Sequence, residues 1–144
     1  MDLIVNIDVP QLQPAREFYC AAFGLSPGRR LGEDALELTG GPVAIWLLAR
    51  GEGTLPARGA GNLRSYSRHW TPLHLDFVVP DLDAARQRVL AAGATEEEPV
   101  ATFAWGKLGL FADPFGHGFC LVQFLGRTRD LGERVARDFL VSSD

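Results

Sequence analysis

Cysteine is scarce in this 144-residue chain, where Cys20 and Cys120 stand far apart. They form no CxxC pattern for zinc or redox exchange, and a reducing compartment keeps both as thiols. Long apolar runs are also missing. None approaches the roughly 20 residues that span a bilayer, and the opening MDLIVNIDVP lacks the charged flank and long apolar region of a signal peptide. A cytoplasmic protein without a membrane partner is therefore expected. Nor is there a surplus of positive charge: 14 Lys and Arg against 18 Asp and Glu give a formal net charge of −4, with the arginines scattered among acids. No basic face is dense enough to follow a phosphate backbone, which argues against a nucleic-acid partner. What the chain does hold is hydrophobic residues, 47% of the total, enough for one good core in a single domain.

That domain is internally duplicated. IVNIDVPQLQPAREFYCAA, from Ile4 to Ala22, lies without a gap over HLDFVVPDLDAARQRVLAA, from His74 to Ala92, at an offset of 70. The two copies share Val9/Val79, Pro10/Pro80, Leu12/Leu82, Ala15/Ala85, Arg16/Arg86, Ala21/Ala91 and Ala22/Ala92. In each, a strand-like run stops at a proline, which cannot donate to a central ladder, and a helical pattern follows. Asp81 is placed to cap the second helix and Gly93 to end it. Shorter strands come next: 27–31, 34–39 and 42–49 in the first half, and 94–98, 103–112 and 117–125 in the second. The expected fold class is α+β, two βαβββ modules whose curved mixed sheet encloses a cup, with helices on the outer face. The domain runs over 1–128, with module one at 1–50, a linking loop at 51–72 and module two at 73–128. Residues 129–144 form a C-terminal helix and tail.

The side-chain period of two assigns faces. Val5, Ile7 and Val9 oppose Ile4, Asn6 and Asp8, and Leu75, Phe77 and Val79 oppose His74, Asp76 and Val78. The apolar rows pack under the helices, so Asn6, Asp8, His74 and Asp76 face the cup. Trp46, Phe103, Trp105, Phe111 and Phe124 lie on strands that border it. The loop 50–70 reads as a plain linker or as a lid or rim, and its Arg64, Arg68, His69 and Trp70 either cover the mouth or stand in solvent or at a subunit contact. His117, in the turn DPFGHG, reads as structural.

The paired strand, proline and helix openings, the duplication and the close FADPFGHGFCLVQF resemble the vicinal oxygen chelate superfamily, which includes glyoxalases, bleomycin-resistance proteins and extradiol dioxygenases. The resemblance covers Ile4 to about Phe124. It implies the fold but leaves the activity open, because one cup serves many chemistries. It also implies metal ligands at the start of each module's first strand and in each last strand. Here those positions fall on Ile4 and His74, and on about Trp46 and Cys120. Ile4 and Trp46 cannot ligate, whereas a catalytic divalent ion needs at least three convergent protein donors. No metal cofactor is therefore expected; if one is present, its ligands are His74, Asp76 and Cys120.

The expected function is binding of a small, partly aromatic or planar molecule in the cup, as in the bleomycin-resistance proteins. Trp46, Phe103 and Trp105 would supply flat surfaces, and Asn6, Asp8, His74, Asp76 and Cys120 polar contacts. The competing reading is a metal-dependent lyase, isomerase or dioxygenase using His74 with Asp76 or Cys120. His74 and Cys120 are its catalytic candidates, and a nucleophilic Cys120 would require His74 to lower its pKa. A non-catalytic accessory subunit is the third reading. A homodimer is the expected assembly.

Overall fold

The computed structural model describes residues 1–125. The helix and tail expected at 129–144 lie outside them. The chain runs β1 (Ile4–Val9), α1 (Leu12–Phe23), β2 (Ser26–Leu31), β3 (Ala35–Thr39), β4 (Ala44–Ala49), β5 (Leu75–Val78), α2 (Leu82–Ala92), β6 (Thr95–Phe103), β7 (Gly106–Ala112) and β8 (Gly118–Phe124). It is an α+β fold of two βαβββ modules. The strands make two four-stranded mixed sheets, ordered β1-β4-β3-β2 and β5-β8-β7-β6. In each sheet the first strand runs parallel to the last and forms an edge.

The helices begin and end where the chain chemistry dictates. Asp81 accepts a hydrogen bond from the Ala84 amide at 3.1 Å, satisfying a donor that the first turn of α2 leaves free. Gly93 and Gly24 close α2 and α1 in the left-handed region, a conformation that costs glycine little. On α1 the buried residues Ala15, Phe18, Tyr19 and Ala22 share one stripe, as Leu82, Ala85 and Val89 do on α2. These stripes pack against each other and against the sheets, over a core that includes Val9, Leu38, Leu47, Phe111 and Leu121. Burial of a side chain such as Phe111 contributes about 1.5–3 kcal/mol.

The strand borders differ from the sequence reading mainly in module two. β6 runs on to Phe103, and Ala104 and Trp105 make a tight turn into β7. Phe103 and Trp105 therefore stand on either side of a hairpin end. Gly106 follows because its backbone lies against β8; a Cβ there would sit 2.0 Å from the Gln123 carbonyl oxygen.

Candidate functional site

Alternation along the two edge strands builds the site. On β1, Ile7 and Val9 turn into the core, which leaves Asn6 and Asp8 on the other row. On β5, Leu75 and Phe77 pack against the core, leaving Asp76 and the preceding His74 opposite. Where these edges meet, a cavity of about 210 Å³ is lined by Asn6, Asp8 and His74 and by the aromatic rings of Tyr19, Phe77, Phe115 and Phe119. A second cavity of about 340 Å³ takes in Val5, Pro42, Asp76, Val79 and Arg88.

The loop between the modules closes over the first cavity, to whose lining it contributes Ser65, His69, Thr71 and Leu73. It is held at both ends. The Arg64 guanidinium donates to Asp8 at 2.7 Å and to the Leu55 carbonyl at 2.6 Å, and the Tyr66 hydroxyl donates to the Arg50 carbonyl at 2.7 Å. Further along, Arg68 makes a two-pronged bond to Glu97 on β6, at 2.5 and 2.7 Å. The loop thus spans from module one, through Asp8, to module two, through Glu97. Arg68 also lies over the Trp70 ring at 5.6 Å, and Trp70 lies 4.9 Å from the His74 ring.

Asp113 anchors the opposite wall. It is buried, and it accepts from the Tyr19 hydroxyl at 2.6 Å, the Phe115 amide at 2.8 Å, the His117 amide at 2.9 Å and His117 Nδ1 at 2.8 Å. Burial pushes this carboxyl up, but the bonds from His117 and Tyr19 outweigh it and hold it below the usual carboxylate range. The same contact acts oppositely on Tyr19, where burial and the Asp113 charge keep the phenol protonated far above its ordinary pKa. Tyr19, Asp113 and His117 therefore form one network that joins α1 to the β7–β8 turn. Tyr19 and His117 both line the cavity.

A different cluster occupies the β5–β8 pair. The parallel register sets Asp76 beside Cys120, and His74 Nε2 lies 3.2 Å from Asp76 Oδ1. One potential ligand atom each from His74, Asp76 and Cys120 falls within 4.8 Å of the others. The donor set, one imidazole, one carboxylate and one thiol, suits a zinc-like divalent ion with an open position, although the tight coordination distances would draw the three closer. Burial and the neighbouring Asp76 push the Cys120 thiol up to about 12, so it is protonated unless a cation displaces the proton. Among the described residues no carboxylate of module one joins this cluster; Glu37 is held by a two-pronged bond from Arg29 at 2.6 and 2.8 Å, and one oxygen of Asp8 by Arg64.

Of the residues singled out in the sequence, Asn6, Asp8 and His74 come together at the 210 Å³ cavity, and Asp76 and Cys120 join His74 in the cluster beside it. Trp46 stands elsewhere, paired across the strands with Asn6 and Glu37 and covered by the Arg29 guanidinium at 5.6 Å. Phe103 and Trp105 stack on each other, with centroids 5.1 Å apart. Trp105 is buried and packs in one apolar cluster with Cys120, Val122 and Phe124. Phe111 belongs to the main core. The cavity's aromatic wall is instead Tyr19, Phe77, Phe115 and Phe119. In the sequence Tyr19 lies on the first helix, Phe77 and Phe119 on strands and Phe115 in the DPFGHG turn, all places where an aromatic ring is ordinary filling. The one signal that could have singled out Tyr19 is a polar tip on an otherwise apolar helix stripe.

Residues 4–122 match the model of the glyoxalase-like domain family. An uncharacterised protein of Mycobacterium bovis is 33% identical over 138 residues, which span 84% of this chain and 87% of that protein. Among solved structures, a glyoxalase-related enzyme from Fulvimarina pelagi superposes with a TM-score of 0.66 at 18% identity, covering 85% of this chain and 87% of that one. The genomically encoded fosfomycin resistance protein of Listeria monocytogenes gives 0.65 at 17% identity, covering 89% and 94%. At such identities the structural likeness shows the fold alone.

Proposed function

The chain belongs to the glyoxalase-like domain family, within the vicinal oxygen chelate superfamily, and from that premise we propose that it binds a small, partly aromatic or planar molecule in the cavity between its two modules. The observation that carries this reading is the cavity's lining: four aromatic rings face Asn6, Asp8 and His74 across about 210 Å³, with the loop tied down over them. A concave, largely apolar site with a few fixed polar groups suits a compound of about one ring. Phe77 and Phe119 already pack edge to face, with centroids 5.8 Å apart, so that wall has a fixed shape before a ligand arrives. Asp8 is held by Arg64, His117 by Asp113, and His74 lies beside Asp76, so the polar groups are oriented as well.

This reading is tested by ligand-detected NMR on a panel of single-ring aromatic compounds, with Thr71→Trp as the control. The substitution sits on an exposed loop position and puts bulk into the cavity. Binding to the wild type that is lost in Thr71→Trp is the expected result. Binding that Thr71→Trp leaves unchanged would place the ligand elsewhere and defeat the proposal.

A second reading, a metal-dependent lyase, isomerase or dioxygenase, is favoured by the convergence of His74, Asp76 and Cys120. Those three residues would hold the ion, which when bound supplies Lewis-acid polarisation of a substrate oxygen. The chain's own contribution is to fix the imidazole beside Asp76 and to surround the thiol with Trp105 and Val122. Metal content by inductively coupled plasma mass spectrometry, on protein purified without chelators, tests it beside His74→Ala. About one divalent ion per chain, absent from the variant, supports this second reading; no ion in either protein removes it.

A further inference from the structure

We infer that the inter-module cavity selects its ligand by hydrogen-bond donors, so that a small ring compound carrying hydroxyl or amine groups is preferred over its ether or carboxylate counterparts. The inference rests on the reading that this cavity is the ligand site. The chain has three histidines, and all three line the one cavity. Each has one ring nitrogen set against an oxygen that can only accept. His117 Nδ1 lies 2.8 Å from the Asp113 carboxylate, His69 Nδ1 lies 2.9 Å from the Ser67 carbonyl, and His74 Nε2 lies 3.2 Å from the Asp76 carboxylate.

His117 and His69 hydrogen-bond at Nδ1, so the acceptor places the proton there, and in the neutral ring Nε2 is then a lone pair; His74 lies beside Asp76 without a hydrogen bond to it. Among the described residues, neither Nε2 of His117 nor that of His69 has a hydrogen-bond partner. Tyr19 follows the same rule. Its hydroxyl gives its single proton to Asp113 at 2.6 Å and keeps only lone pairs for other partners. Asp8 has one oxygen taken by Arg64 and a second that can accept.

Asn6 and Ser65 bring both donors and acceptors, and the unpaired backbone edges of β1 and β5 do the same. They favour neither class of ligand, so the balance lies with the imidazoles, Tyr19 and Asp8. A ligand without donors would strip water from these acceptors and return nothing. A carboxylate would in addition meet the charges of Asp8 and Asp113. The three histidines come from two separate segments: His69 and His74 from the loop before β5, and His117 from the β7–β8 turn. The pattern therefore belongs to the cavity, not to one motif.

The test compares resorcinol with its dimethyl ether and with benzoate by NMR titration of the full chain. EDTA is present, and the pH is about 8, above the ordinary imidazole pKa of roughly 6.5. The ring is common to all three probes, so the difference reads the donors. Resorcinol is expected to bind at least about tenfold tighter than either comparison compound, as two neutral hydrogen bonds allow. That preference is expected to fall by about threefold or more in His69→Ala and in His117→Ala. Equal binding of all three probes would overturn the inference while leaving the cavity a ligand site. A preference unchanged in both variants would overturn it as well. Failure of every probe to bind would defeat both the inference and the reading beneath it. His69 is exposed on the loop, so His69→Ala keeps the test sound even if His117→Ala unfolds the turn.

Discussion

Replacing Asp113 by Asn tests how the fold and the site are joined. The carboxylate is buried and accepts four hydrogen bonds: from Tyr19 on α1, from the backbone amides of Phe115 and His117, and from the His117 ring. Asn keeps the size and one acceptor oxygen, which can still serve the two amides. Its NH₂ then faces Tyr19 and His117, so both must turn to accept. Hydrogen bonds to a charged acceptor contribute about 1.5–3 kcal/mol each, and such bonds are not additive within a network. A net loss of about 2–3 kcal/mol follows for Asp113→Asn, and more for Ala, which leaves the donors without any partner. Urea unfolding followed by circular dichroism measures it. The pH dependence carries a sign. Because the folded carboxyl is held below its unfolded value near 3.9, its contribution is fully present above that pH and fades as the pH falls through the lower folded value. The gap between wild type and Asp113→Asn should therefore shrink below about pH 4. A variant as stable as the wild type at neutral pH, or a gap that stays constant into strong acid, would refute the assignment of Asp113 as an ionised anchor.

Three further outcomes follow from the same geometry. Gly116→Ala forces a side chain into positive φ at 92° and sets its Cβ 2.3 Å from the Tyr66 carbonyl oxygen, so it should cost more than about 1 kcal/mol and loosen the loop, read as faster amide exchange over residues 64–68. Cys120 should resist iodoacetamide near neutral pH, because burial and Asp76 hold its thiol up to about 12; Asp76→Asn should speed the reaction, followed by mass spectrometry, and an unchanged rate would count against the electrostatic part. Arg29→Met should bring the Glu37 carboxyl back up from about 2 toward the ordinary range, read by carbon NMR of a pH titration, with no change signifying that the guanidinium bonds do not hold it down.

Much of the fold was legible because its signals are local or repeat. The offset of 70 between Ile4–Ala22 and His74–Ala92 reappears as α1 starting at Leu12 and α2 at Leu82, and Asp81 caps as its position suggests. Strand alternation placed Asn6, Asp8, His74 and Asp76 on one set of faces, while Cys120 was pointed to only by the family resemblance and lies beside Asp76 through the β5–β8 register. The wall of the cavity was not legible. Tyr19 and Asp113 meet across 94 positions, and no periodicity within α1 or in DPFGHG announces that contact. The loop was similarly opaque: Arg64 and Arg68 find Asp8 and Glu97 through tertiary placement, which a Gly- and Arg-rich stretch without period does not encode locally. The turn at Trp105 was hidden because a run such as TFAWGKLGLF fits one long strand as well as two. The sequence reading accordingly put the flat aromatic surface at Trp46 and Trp105, whereas the rings around the cavity are Tyr19, Phe77, Phe115 and Phe119.

Chemical-shift mapping of nitrogen-labelled protein with a bound single-ring ligand shows whether the cavity between the modules is where a ligand sits. The largest changes are expected on the backbone amides of Asn6, Asp8, His69, His74 and His117, which border one cavity yet are scattered through the chain. Changes centred instead on the Phe103 and Trp105 hairpin, or around Pro42 and Arg88, would contradict that placement.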